Sequence, residues 1–171
     1  MKRGDRIRFK HQRGKPRTAY IRQIKGRWIL IGNVWHPLED FMHVYLAGPM
    51  TGIPQSNFPA FDAAAIALRE KGFIVTSPAE LDDSKDRALA LADKPSQKTW
   101  GDFLARDVKL IADSGINAIV LMPDWHKSRG ARLEATVGLL CNLKFYLLEG
   151  GTVIYPVSVV RVANRIARTF I

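Results

Sequence analysis

Three observations in the 171-residue sequence predict an α/β fold, a Rossmann-like or flavodoxin-like parallel sheet flanked by helices, preceded by a small basic β-meander or barrel. From residue 43 onward, short apolar runs alternate with helix-like patterns, the signature of βαβ units. The run Ile119-Val-Leu-Met122 ends at Pro123 and passes through a polar loop, Asp124 to Gly130, into a helical pattern. A strand, a polar loop with a glycine and a helix start is how open α/β sheets hold ligands at their carboxyl edge. Charge then divides the chain. Residues 1 to 43 carry 11 Lys and Arg against 3 acids, whereas residues 44 to 150 carry 12 against 13. The composition boundary separates a basic β module at 1–42 from an α/β domain at 43–171.

The first segment has period two. Asp5 to Lys10, Ala19 to Ile24 and Arg27 to Ile31 are strand candidates, Trp35 to Leu38 a short fourth, with turns at Gly14 to Pro16, Lys25-Gly26 and Gly32-Asn33. Its basic residues, within 2–27, suit nucleic acid, because Lys and Arg release phosphate counterions on binding. Tyr20, Trp28 and Trp35 are either stacking platforms or the module's own small core. His11, His36 and His43 have no metal-ligand spacing, so no metal is expected.

The second segment opens with the strand His43 to Ala47, running into the glycine loop Gly48-Pro-Met-Thr-Gly52. Asn57 caps a helix over Phe61 to Lys71, with Pro59 in its first turn and Gly72 at its end. Phe73 to Thr76 is the next strand, closed by Pro78. Residues 79 to 99 are polar and read as an excursion or lid over the ligand edge, with a helical turn at Arg87 to Ala92. Trp100 to Ala112 is helical, with Phe103, Leu104, Val108 and Ile111 inward and Asp102 and Asp107 elsewhere. Asn117 to Met122 is a strand, and Ala131 to Leu143 a helix whose apolar residues Leu133, Val137 and Leu140 recur at spacings of four and three. Lys144 to Leu148 and Thr152 to Tyr155 are further strands. Ser158 caps a last helix with an apolar stripe, Val159, Val162 and Ile166, and a basic one, Arg161, Arg165 and Arg168.

Composition narrows the function classes. No apolar run is long enough to span a bilayer, and the charged start leads into no leader-like stretch, so a cytoplasmic protein without membrane contact is expected. The single cysteine, Cys141, excludes an intrachain disulfide and is expected to be a packing residue. The paired-glycine fingerprint of dinucleotide folds and the Lys-Ser/Thr of a P-loop do not occur, so neither NAD oxidoreduction nor ATP hydrolysis is indicated. What remains is a set of carboxylates near strand ends, Glu134 and Asp107, with Asp102 and Asp124 as weaker candidates.

Tyr45-Leu-Ala-Gly-Pro-Met-Thr-Gly52, Asn57-Phe-Pro-Ala-Phe61, Asp107, Leu121-Met-Pro-Asp-Trp125 and Ser128-Arg-Gly-Ala-Arg-Leu-Glu134 together resemble the nucleoside 2-deoxyribosyltransferase-like superfamily. More closely, they resemble its small DUF4406-type branch of bacteriophages and prophages. The resemblance covers residues 43 to 148. It implies cleavage of an N-glycosidic bond, with Glu134 as the nucleophile, Asp107 contacting or protonating the leaving base, and Tyr45 orienting the glutamate. It further implies that Gly48, Pro49, Met50 and Gly52, with Asn57, line the sugar and base pocket. The superfamily's transferases have an acid where Ser128 stands. Ser-Arg there points instead to a nucleotide whose 5′-phosphate meets Ser128, Arg129 and the helix start at Gly130. Asp124 is the nearest acidic substitute and Trp125 a pocket wall. No metal or redox cofactor is implied, and relatives' habits imply a homo-oligomer, for which the apolar stripe of the last helix is the candidate surface. The alternative is a non-catalytic nucleotide- or nucleic-acid-binding module that uses its basic ends.

Overall fold

The computed structural model describes residues 6–9, 17–25, 28–31, 33–37, 42–113 and 115–169. Four short strands come first, β1 (Arg6–Phe9), β2 (Arg17–Lys25), β3 (Trp28–Ile31) and β4 (Val34–Pro37), paired antiparallel in chain order as the expected meander. Lys25 lies opposite Trp28 and Ile31 opposite Val34, so two residues close each of these hairpins. Most side chains of the basic segment 2–27, and those of Tyr20, Trp28, Trp35 and His36, lie outside the described residues, as does all of His11. Arg22 is described, and its guanidinium donates to Asn33 Oδ1 at 2.8 Å.

The second sheet has five strands: β5 (His43–Ala47), β6 (Ile74–Thr76), β7 (Ala118–Leu121), β8 (Lys144–Glu149) and β9 (Val153–Val157). Their order is β6-β5-β7-β8-β9, which is the flavodoxin-like doubly wound order. All pairs are parallel except β8–β9. Glu149 pairs with Val153 across a three-residue loop containing Gly150 and Gly151, both at positive φ. So short a connection permits only an antiparallel return.

Among the described residues five α-helices connect these strands, α1 (Phe58–Glu70), α2 (Pro78–Leu81), α3 (Ser84–Leu91), α4 (Trp100–Asp113) and α5 (Arg129–Leu140), and α6 (Val159–Ala167) follows β9. Strand β5 is buried along its whole length, and its alternation serves two cores. Val44 and Leu46 pack with Phe58, Phe61, Ala64 and Leu68 of α1 on one face. Tyr45 and Ala47 pack on the other with Ile111 of α4, Ala131 and Ala135 of α5 and Val162 of α6. The polar excursion at 79–99 is more helical than its composition suggests. Asp83 caps α3 by accepting from the amides of Lys85 and Asp86, and Arg87 ties α3 to Asp62 of α1.

Four sequence expectations are corrected here. Of the apolar positions of α5, Val137 packs against the core, but Leu133 and Leu140 are exposed, Leu140 at 79%, and the most buried residues are Ala131, Glu134, Ala135 and Gly138. The reason is distance: a Cβ on Gly138 would stand 2.4 Å from Ile119 Cδ1, so the helix lies too close to β7 for large side chains. Asp107, expected away from the apolar side of its helix, is buried beside Ile111 on the inward face. Cys141 is exposed, because it sits at the C-cap of α5, beyond the last buried turn. The apolar stripe of α6 is divided: Val162 is buried in the core, Ile166 packs against it, and only Val159 is exposed. Among the described residues, no helix is long and apolar enough to cross a membrane.

Because β6 and β7 lie on opposite sides of β5, the sheet's winding reverses between β5 and β7. The loops leaving these two strands meet there, with a Cβ built on Gly48 only 2.8 Å from Met122 Cβ. Gly48→Ala is therefore expected to destabilise the protein by about 1–3 kcal/mol, as overpacking against a fixed atom does. Urea unfolding of the two chains measures it, and equal midpoints would refute the close-approach argument.

Candidate functional site

The reversal point opens a cavity of about 1020 Å³ at the carboxyl ends of β5 and β7. Five segments line it: the glycine loop 48–53, the start of α1, the 82–96 excursion, α4, and the loop from Met122 into α5. The glycine loop is held by its own backbone. Asn57 donates from Nδ2 to Pro49 O at 2.8 Å, and Gln55, Ser56 and Asn57 all adopt left-handed φ of 50–59°. Three consecutive non-glycine residues in that region are strained and persist only where surroundings impose it. One such constraint is the Gln55 amide, which donates to Asp93 Oδ1 and ties the loop to the end of α3.

At the floor, three polar side chains from three elements converge. Tyr45 is fully buried on the α4/α5 face of β5, and its hydroxyl donates to Glu134 Oε1 at 2.9 Å. Asp107 lies close enough for its charge to act on the same phenol and on Glu134. Glu134 and Asp107 are 7% and 6% exposed, so both carboxyls are nearly stripped of water. Burial, with the neighbouring Asp107 charge, pushes Glu134 up to about 8, and the Tyr45 bond opposes this only in part. Burial also raises Asp107, but Arg106 opposes it directly, its Nε 2.8 Å from Asp107 Oδ1. Arg106 in turn bridges to Asp82 at 2.5 Å. The two carboxyls thus have unlike environments, one bonded by a phenol and the other by a guanidinium. Glu134 holds the proton at neutral pH, and Asp107 faces the cation.

The cavity mouth carries the remaining cations. Ser128 caps α5, its Oγ accepting from the Ala131 amide at 3.3 Å. Arg129 lies over the Trp100 ring at 4.6 Å, a cation–π contact, and Asp124 pairs with Lys127 at 2.9 Å. On the opposite wall Asp86 is buried, bonded by Ser96 Oγ at 2.7 Å and by Lys98, which also reaches Asp83 at 2.9 Å.

Of the residues singled out from sequence, Tyr45, Asp107 and Glu134 meet at the floor. Gly48, Pro49, Met50, Gly52, Asn57, Asp124, Ser128, Arg129 and Gly130 all line or border the same cavity. Trp125 does not: it is buried, and its ring faces a neighbouring groove under α6. Asp102 caps its own helix start by accepting from Thr99. Sequence reasoning missed Asp82, Asp86, Trp100 and Arg106. Arg106-Asp107 in the middle of an otherwise amphipathic helix was the available signal for the arginine; nothing local marks the other three.

A family model described as a domain of unknown function, DUF4406, matches residues 42–146, and the chain belongs to that family. The match runs from β5 into β8 and contains the whole floor of the cavity. No curated protein matches the chain.

The floor has a thermodynamic consequence. Between pH 4.5, the ordinary glutamate value, and about 8, the unfolded chain has lost the Glu134 proton while the folded chain keeps it. The folded state then binds more protons, so stability falls as pH rises through that window. Glu134→Gln is expected to abolish that part of the decline and to be the more stable chain at pH 8. Denaturation midpoints at several pH values test this, and parallel wild-type and variant curves would overturn it.

Proposed function

We propose that this DUF4406 protein cleaves the N-glycosidic bond of a nucleotide, (deoxy)ribose being attacked at C1′ by Glu134 to give a glycosyl-enzyme. The observation that carries this reading is the buried Tyr45–Glu134–Asp107 cluster at the floor of the switch-point cavity. It is supported by the resemblance of residues 45–52, 57–61, 121–125 and 128–134 to the nucleoside 2-deoxyribosyltransferase-like superfamily. A carboxylate nucleophile backed by an acid is the retaining-glycosidase arrangement, here applied to a C–N bond.

Proton bookkeeping follows from the unlike carboxyls. Glu134 must be ionised to attack, so its proton passes to the neighbouring Asp107. Asp107 delivers that proton to the leaving base as the C1′–N bond breaks and the Glu134 oxygen–C1′ bond forms. Water or a second base then attacks C1′ and releases Glu134, with Asp107 taking the incoming proton. Burial strengthens these interactions, since few water dipoles compete. At the mouth, the Arg129 and Gly130 amides, Lys127 and the Arg129 guanidinium suit a 5′-phosphate. On this reading the protein acts in the cytoplasm, that of the host if phage-encoded. The exposed outer face of α5, with Leu133 and Leu140, supports the expected homo-oligomer.

A chromatographic screen of nucleosides and their 5′-monophosphates, with and without a free acceptor base, tests the reading. Wild type is expected to release or exchange a base and Glu134→Gln to do neither, while Asp107→Asn slows cleavage by roughly 10²–10⁴-fold. Full activity in Glu134→Gln would remove the proposed nucleophile. No turnover, with a nucleotide still raising the melting temperature, would replace catalysis by a binding module. Activity is further expected to fall above about pH 8, where Glu134 and Asp107 lose their last shared proton. A kcat/KM profile flat to pH 10 would contradict that.

A further inference from the structure

A second groove, of about 600 Å³, lies on the other side of Trp125 from the cavity, between α6 and the strands β8 and β9. Its lining combines apolar Leu147 and Val157 from the strands and Val160 from α6 with Arg161, Arg165 and Arg168 of the same helix. No carboxylate lines it, and among the described residues none of the three arginines has a carboxylate at ion-pair distance. Arg165 donates to His126 Nε2 at 2.7 Å, and an imidazole that accepts a bond there is neutral, so the guanidinium charge stays uncompensated. Arg165 lies close enough to act on Asp124, but that carboxylate is paired with Lys127.

The spacing selects the ligand. Positions 161, 165 and 168 follow one helix face, and at 1.5 Å per residue their backbones are spread over about 10 Å. Arginines strung in a row match a chain of repeated anions better than one compact anion, which needs its donors to converge. The apolar lining suits the faces of bases, and only an unpaired strand offers these together with its phosphates. We propose that the α6 groove binds single-stranded nucleic acid, with phosphates on Arg161, Arg165 and Arg168 and bases against Val157, Val160 and Leu147. This site is separate from the floor at Glu134 and stands whether or not that floor is catalytic.

The test is fluorescence anisotropy of a labelled single-stranded oligonucleotide with the full chain, across a salt series. The variant is R161A/R165A/R168A. Removing three phosphate contacts is expected to reduce the slope of log K against log salt by about 2 and to weaken low-salt binding by roughly tenfold or more. Arg161 and Arg168 have exposed side chains, so the single variants Arg161→Ala and Arg168→Ala are measured alongside, each expected to reduce the slope by about 0.7. Circular dichroism checks that each variant is folded. Four results would each overturn the proposal. They are no binding by wild type at low salt, unchanged slopes in the variants, equal binding of a duplex of the same sequence, and displacement of the oligonucleotide by millimolar inorganic phosphate.

Discussion

The described α/β domain depends on how two carboxyl groups are kept in its interior. Tyr45 of β5 donates its hydroxyl to Glu134 of α5, and Asp107 of α4 is held beside them by Arg106. Burying a carboxylate without a partner costs several kcal/mol, so the three elements must meet at one geometry or not at all. Close packing of α5 on β7 secures it. Gly138 and Ala135 let the helix approach until Glu134 reaches the phenol, and the same approach leaves no room for the large apolar residues that face outward. Packing and site chemistry therefore have one cause.

Electrostatic asymmetry then separates the roles of the two acids. Arg106 faces Asp107 and not Glu134, because it is the adjacent residue on α4 and is held on its far side by Asp82. A cation beside one of two coupled carboxyls drives their proton affinities apart, the condition for one to carry a proton that the other can use. The cavity above them is bounded by segments tied to each other. The glycine loop is fastened to Asp93, α3 to Asp62, and Lys98 to Asp83 and Asp86. These links order a polar excursion that has little apolar area of its own to bury.

Much of this was legible in the chain. Alternating apolar runs, glycine and proline punctuation and the change of charge at residue 43 are local signals, and each strand and long helix of the sheet follows from them. The loop residues at 48–52 and 124–130 were legible too, since winding rules bring the ends of the first and third strands of such a sheet together. Inward faces were less so. In α5 Leu133 and Leu140 point away from the core while alanines and a glycine pack closest, because a stripe of small residues has a weak hydrophobic signature. Asp107 was legible as a carboxylate in a helix but not as buried, because burial is a property of what faces it.

What the sequence by itself determined is the alternation of strands and helices and which residue types stand at the ends of β5 and β7. These depend on interactions within a few residues along the chain. Only the tertiary structure decided that Tyr45, 62 positions from Asp107 and 89 from Glu134, would join them, that Arg106 and Asp82 would stand behind one acid, and that Trp125 would wall off a second, basic groove. Those relations arise from the desolvation of charged groups and the closeness of helix to sheet, which exist only once distant segments exclude water from between them.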